Sequence, residues 1–420
     1  MNTLMRQRKY LILIALAAVF VLLLFWCNNF TRADLRSTKG QTYEQAVVTA
    51  IVHDNLAEDG NRYGSQTVRV KLTSGSQKGK TYTAVSPSGQ LFGATCKKGM
   101  HVIVIVNSTA GNSSVTVYSQ NRIGAILAFL AVFAAAVCLV GGRKGAMALL
   151  SLAFAFVCIF GLMLPAIYRG VQPVLIAIAV AAATTLVTLA LLNGFSRKTA
   201  AAIIGTSGGV VAAGVAALLF GRAAGISGYN VASVETLSFV AQYAEIHIGQ
   251  LLFAGIIISS LGAVMDVGMS IASTLEEVHA ANPRLDRREL FRSGIRVGRD
   301  MIGTMTNTLI FAFVGGSLST LLINYAYNLS FYQLINSFNI GIEIMQGLSG
   351  SLGVVLTVPI TALISSALLT RAQRRDAAEE TAAPVSAPPE RSAFGAGKAQ
   401  PGNGAAAERQ LAAVPDSGRR

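Results

Sequence analysis

Charge is scarce in this chain. Asp, Glu, Lys and Arg make up 13% of its 420 residues, against about 25% in an ordinary soluble domain. With 52% hydrophobic residues, that shortage excludes a soluble globular protein and places the sequence in the membrane class. Histidine and cysteine number four each, and there is one tryptophan. Cys138 and Cys158 lie in apolar runs, where a thiol behaves as a small hydrophobe. A bridge between Cys27 and Cys96 is conceivable outside the cytoplasm, but nothing in their spacing calls for one. Phe25-Trp26-Cys27 lacks the small residues of a lipoprotein cleavage site. No CxxC or His/Cys pairing suggests a metal. No HExxH, GxGD, GxSxG or phosphate-loop pattern is present, and no histidine falls in a long apolar run. The expectation is therefore a protein that is not an enzyme and needs neither cofactor nor metal.

What charge there is has a pattern. The formal net charge of +14 would fit a nucleic-acid binder, but the basic residues cluster between apolar runs instead of alternating with aromatics on a polar surface. That clustering encodes membrane orientation, and nucleic acid is excluded as a partner. Arg6, Arg8 and Lys9 precede an apolar run over Tyr10–Trp26, which reads as an uncleaved anchor helix with its N-terminus inside. Seven further runs follow: Arg122–Val140, Ala146–Ile167, Val174–Leu192, Thr199–Phe220, Leu251–Ser270, Met301–Ile323 and Ile344–Leu369. Each is close to the ~20 residues that span about 30 Å of hydrocarbon. Eight crossings put both termini in the cytoplasm. Arg143, Lys144, Arg197, Lys198, the arginines from Arg284 to Arg299, and Arg371, Arg374 and Arg375 then all fall on the inner side.

Residues 28–121 are polar and carry strand-like pieces at Gln45–His53, Gln66–Leu72, Thr81–Val85, His101–Asn107 and Ser114–Ser119. Val68, Val70 and Leu72 alternate with polar neighbours, the period of a half-buried strand. A small β-barrel or OB-like domain outside the cytoplasm is predicted. The organisation expected is an anchor at 1–27, an extracytoplasmic β-domain at 28–121, a seven-helix all-α membrane bundle at 122–370, and a disordered cytoplasmic tail at 371–420, rich in Ala, Pro and charge.

Candidate chemistry sits in the sixth and seventh runs and the arginine-rich loop between them. Ser259, Asp266, Ser270, Ser273 and Glu277 share one helical face. Arg296, Asp300, Thr304 and Asn307 share another, with Thr308 beside it. A carboxylate in a bilayer helix costs about 2.5–3.5 kcal/mol on insertion scales. Two such stripes facing each other predict a wet seam for protons or ions, through Asp266, Asp300, Ser270, Thr304, Asn307 and Glu277, with Arg296 and Arg299 as counter-charges. The bland readings are interhelical glue for the hydroxyls and a helix-start carboxylate for Asp300. Pro359 interrupts the last run and predicts a kink that frees backbone carbonyls.

Gly262–Ser273, Gly298–Leu309 and the stretch Gly350-Ser351-Leu352-Gly353-Val354-Val355-Leu356-Thr357-Val358-Pro359-Ile360-Thr361 resemble the YibE/F family of bacterial multi-spanning membrane proteins. The anchor helix and β-rich domain also fit that family. An Asp-bearing helix, a charged loop and a Thr-rich helix are similar, more weakly, to the proton-driven SecD/SecF and RND proteins. Here, however, no second acid adjoins Asp266 and two more spans are expected. The polar stripe around Asp266, with the weaker similarity adding proton coupling, leads to the expectation of a plasma-membrane transporter or permease of unstated substrate. The alternative is a scaffold for envelope assembly whose outer β-domain binds a partner. Besides the lipid bilayer, a membrane-protein partner or a second copy of the chain is expected.

Overall fold

The computed structural model describes residues 20–31, 35, 40–59, 61–87, 93–109, 112–231 and 233–382. Residues 1–19, most of the expected anchor, lie outside the described residues, as does the expected tail from 383 onward. The compact unit Met1–Gln373 contains both a β-barrel and a helical bundle.

Alternation of branched apolar residues with polar ones builds five strands: β1 (Gln41–His53), β2 (Ser65–Leu72), β3 (Thr81–Pro87), β4 (His101–Thr109) and β5 (Asn112–Gln120). Their inward positions, among them Val48, Val68, Val70, Leu72, Val102, Val104 and Val117, form one buried core. The strands close in the order β1-β2-β3-β5-β4, with β1 returning to β4. That order is the five-stranded OB arrangement. The parallel β3–β5 seam is only two residue pairs long, Ala84↔Val115 and Val85↔Thr116. Gln66 is buried in the wall. Its Oε1 accepts from the Cys96 backbone N–H (2.8 Å) while its Nε2 donates to Asp54 Oδ1 (2.9 Å) and Cys96 O (3.3 Å). All four cysteines are free thiols.

Residues 20–28 are helical (α1). The next helix, α2 (Ile123–Val157), is apolar apart from Arg143, Lys144 and Ser151 and continues through a π-helical turn, Cys158–Met163, into α3 (Leu164–Tyr168). Gly142 breaks α2 with φ 53° and ψ −133°. A Cβ on Gly145 would lie 2.1 Å from the carbonyl oxygen of Val137. Residues eight apart on a straight helix are about 12 Å apart, so the chain doubles back at Gly142. That reversal separates the two runs expected at Arg122–Val140 and Ala146–Ile167. Pro165 has no N–H for the carbonyl of Gly161, and Asn28 Nδ2 supplies that bond instead at 2.7 Å. Arg169 donates to the carbonyl of Trp26 at 2.5 Å and lies 4.1 Å from the centroid of its ring. These contacts fasten α1 to the α2–α3 segment.

The remaining helices are α4 (Pro173–Asn193), α5 (Arg197–Ala224), α6 (Val234–Ala241), α7 (Leu251–Ala281), α8 (Arg287–Gly316), α9 (Leu318–Ala326), α10 (Phe331–Ile335) and α11 (Phe338–Ala382). α6 is a short helix within the stretch between Gly225 and Ile248. Among the described residues five helical stretches are long and apolar enough to cross a membrane, six when α8 and α9, bent by 60°, are taken together. The run expected at Met301–Ile323 straddles that bend. α8 also begins fourteen residues before Met301, because a capping box at Asp286 and Glu289 starts it (2.7 and 3.0 Å).

α5, α7, α8 and α11 pack around one core that includes Val264, Ile271, Leu275, Leu290, Leu309, Val354 and Val358. Close approach rests on glycine. A Cβ on Gly209 of α5 would sit 1.7 Å from Thr357 Oγ1 of α11, and one on Gly298 of α8 would sit 2.2 Å from Val358. The Thr357 hydroxyl, buried at this contact, donates to its own helix at Gly353 O (2.7 Å). Pro359 lies inside α11, which stays helical through it.

Candidate functional site

The 3.6-residue period divides α7 into two faces. Val264, Val267, Ile271 and Leu275 are fully buried against the core. Gly255, Ser259, Gly262, Asp266 and Glu277, spaced 4, 3, 4 and 11 apart, are exposed. Ser270 and Ser273 are half-buried on the same side. Gly255 and Gly262 have open space where a Cβ would be, so no wall of side chains closes over Asp266 from its own helix.

α8 divides in the same way. Leu290, Gly294, Gly298 and Leu309 face the bundle, whereas Arg292, Arg296, Arg299, Asp300, Gly303, Thr304 and Asn307 are exposed. Each set of candidate residues therefore shares a face, as the spacing predicts. Among the described residues no hydrogen bond or ion pair joins the two sets. Thr304 donates to Met301 O at 3.1 Å and Thr308 to Thr304 O at 2.9 Å, both within α8. On α7 the carbonyl of Ser270 accepts from Thr274 at 2.9 Å. The two stripes are carried on accessible surfaces of the bundle and are not zipped together.

The acids of this region differ in their surroundings. Glu276, next to the predicted Glu277, pairs with Lys198 at 2.6 Å and ties the start of α5 to α7. Glu277 faces out. Arg292, Arg296 and Arg299 line a surface pocket together with Phe291 and Ile295. Among the described residues none of those arginines is ion-paired, and Asp266 and Asp300 have no hydrogen-bond partner. No group of three or more His, Cys, Asp or Glu among the described residues is placed to hold a metal ion.

One acid escaped the sequence reading. Glu343 lies near the start of α11, half-buried, in a cavity beneath the α8–α9 bend. The signal was present in Ile340-Gly341-Ile342-Glu343-Ile344-Met345. The last apolar run begins at Ile344, so Glu343 falls just outside it.

Residues 129–371 match the YibE/F-like protein family. This chain belongs to that family. The matched segment is more than half of the sequence and contains every candidate residue of α7, α8 and α11. It begins inside α2, so the OB-type barrel and α1 of this YibE/F-like protein lie outside it. No curated protein and no solved structure matches the chain.

Proposed function

We propose that this YibE/F-like membrane protein is a proton-coupled transporter or permease of the bacterial plasma membrane, with Asp266 as the group that takes up and releases the proton. The supporting observation is the position of that carboxylate. It stands on the accessible face of a long apolar helix, on the same side as Gly255, Ser259 and Gly262, and has no ion-pair partner among the described residues. A charge so placed costs about 2.5–3.5 kcal/mol in a bilayer unless water, a proton or a partner meets it. The reading gives Asp300, Thr304, Asn307, Ser270 and Glu277 the path toward the arginine-rich end, and Arg296 and Arg299 the role of counter-charges to Asp300. It takes the chain as eight crossings, the anchor and seven in the membrane domain, both ends inside and the barrel outside, with α2 counted as two crossings either side of Gly142. A second copy or another membrane protein over the α7 face would complete the shield around Asp266.

The test uses the full chain in proteoliposomes. A potassium diffusion potential should drive proton influx, read with an internal pH dye, that falls at least tenfold in Asp266→Asn. A hydrophobic carbodiimide should label Asp266, as located by mass spectrometry. Equal influx in the two proteins together with no label on Asp266 would defeat the proposal.

The scaffold reading is favoured by a different observation. The barrel lies outside the family-matched segment and has its own polar surface groove of about 200 Å³, lined by Gln41, Thr42, Glu44, Gln77 and Ser108. Deleting residues 31–120 should abolish the activity of a scaffold and leave proton influx in a transporter.

A further inference from the structure

We propose that the cavity beneath the α8–α9 bend binds a small organic cation with an apolar body, and that Glu343 holds its charge. The cavity measures about 240 Å³ and draws its walls from α8 (Ile310, Phe313, Val314), the bend itself (Ser317), α9 (Leu321) and α11. Among the described residues Glu343 is the single ionisable group in this lining, and Ser317 supplies the one other polar side chain. Among the described residues nothing forms a hydrogen bond or ion pair with Glu343. An apolar pocket with one well-placed polar group is the usual form of a small-ligand site, and this one lies below the roughly 300–1,000 Å³ of drug-sized pockets.

The sign of the ligand follows from the lining. Glu343 lies in the apolar stretch Phe338–Arg371, long enough to cross a membrane, where an unmatched carboxylate is costly. A cation removes that cost, and the Phe313 ring offers a second surface that cations favour. Among the described residues no Lys or Arg lines the cavity. An anion would therefore meet only repulsion. The phosphate of a zwitterionic lipid headgroup would also find no donor of opposite charge, so a free ammonium ion fits better than a lipid. The site shares no residue with the Asp266 path, and its occupancy is measured at equilibrium without any gradient. Loss of one reading leaves the other standing.

The test is equilibrium dialysis of the full chain in phosphatidylglycerol nanodiscs, corrected with empty nanodiscs. The probes are benzyltrimethylammonium and its uncharged isostere neopentylbenzene. Saturable binding of the cation, and not of the isostere, is expected. Glu343→Gln, which keeps the shape, should weaken it at least tenfold. Gly347→Leu should fill the cavity and abolish it, while Gly347→Ala is the folding control, since the added Cβ meets Ile310 at 3.8 Å and Phe313 at 4.0 Å, ordinary contact distances. Unchanged affinity in Glu343→Gln overturns the proposal, as does equal binding of the neutral isostere or displacement of the probe by phosphatidylethanolamine. If Gly347→Leu does not fold, the Glu343→Gln comparison still decides.

Discussion

Replacing Gly209 by alanine should loosen the centre of the membrane domain. The new methyl carbon would lie 1.7 Å from Thr357 Oγ1, 2.8 Å from Val264 Cγ1 and 2.9 Å from the carbonyl oxygen of Gly353. Three atoms on two other helices would have to retreat, and one is backbone, which moves only if α11 moves. Overpacking of this kind costs about 1–3 kcal/mol, and the backbone oxygen argues for the upper half of that range. Alanine returns about 1 kcal/mol through its higher helix propensity. The net loss is then about 1–2 kcal/mol, or roughly 2–8 °C in Tm at about 2–4 °C per kcal/mol for a domain of this size. Gly255→Ala is the matched control. It is another helical glycine, but it has open space where the methyl would go, so propensity alone acts and Tm should hold or rise. Thermal unfolding in a mild detergent, followed by the fluorescence of a thiol-reactive dye at the buried cysteines, compares the two. A Gly209→Ala protein that melts no lower than Gly255→Ala would show that α5 and α11 do not meet as described.

Other consequences can be measured on the same protein. Gln66→Ala removes the side chain that satisfies both the N–H and the C=O of Cys96 in a buried part of the barrel. Stranding those groups costs about 1–3 kcal/mol each, so amide exchange in β2 and at Cys96 should accelerate at least tenfold while the helices stay unaffected. The Asp54 carboxyl is held below the usual range, first by its hydrogen bond from Arg62 and then by that from Gln66. Its folded value is depressed, so its contribution to stability is fully present above the unfolded value of about 3.9. That contribution is lost as pH falls through the lower folded value. Barrel amide exchange should accelerate below about pH 4, less so in Asp54→Asn; identical acid profiles would refute the assignment. Glu276→Gln breaks the pair with Lys198, whose side chains are 27% and 36% exposed, and should cost below about 1 kcal/mol. Glu277→Gln should cost nothing measurable.

Much of this architecture was legible in the order of residues. The five barrel strands start and stop within a few positions of the alternation that announces them, as Val68, Val70 and Leu72 do in β2. The faces of α7 and α8 follow from spacing, because a 3.6-residue period sorts side chains before any neighbour is known. The start of α8 is written in Asp286 and Glu289, since a capping box needs only local geometry. Helix ends and bends were harder. The run Met301–Ile323 looks continuous by hydropathy, but the helix turns by 60° at Gly315-Gly316-Ser317, small residues that break a helix without lowering its apolar character.

What sequence alone determined was therefore local: the membrane class, the two kinds of domain, and which residues of a helix share a side. Tertiary structure decided what each side meets. It joined β3 to β5 and so closed the barrel, turned the chain back at Gly142, kept Asp266 and Asp300 on accessible faces, and set Glu343 in an apolar hollow. The reason is that periodicity depends on neighbours within one or two turns, whereas the surroundings of a charge depend on helices tens of residues away in the chain.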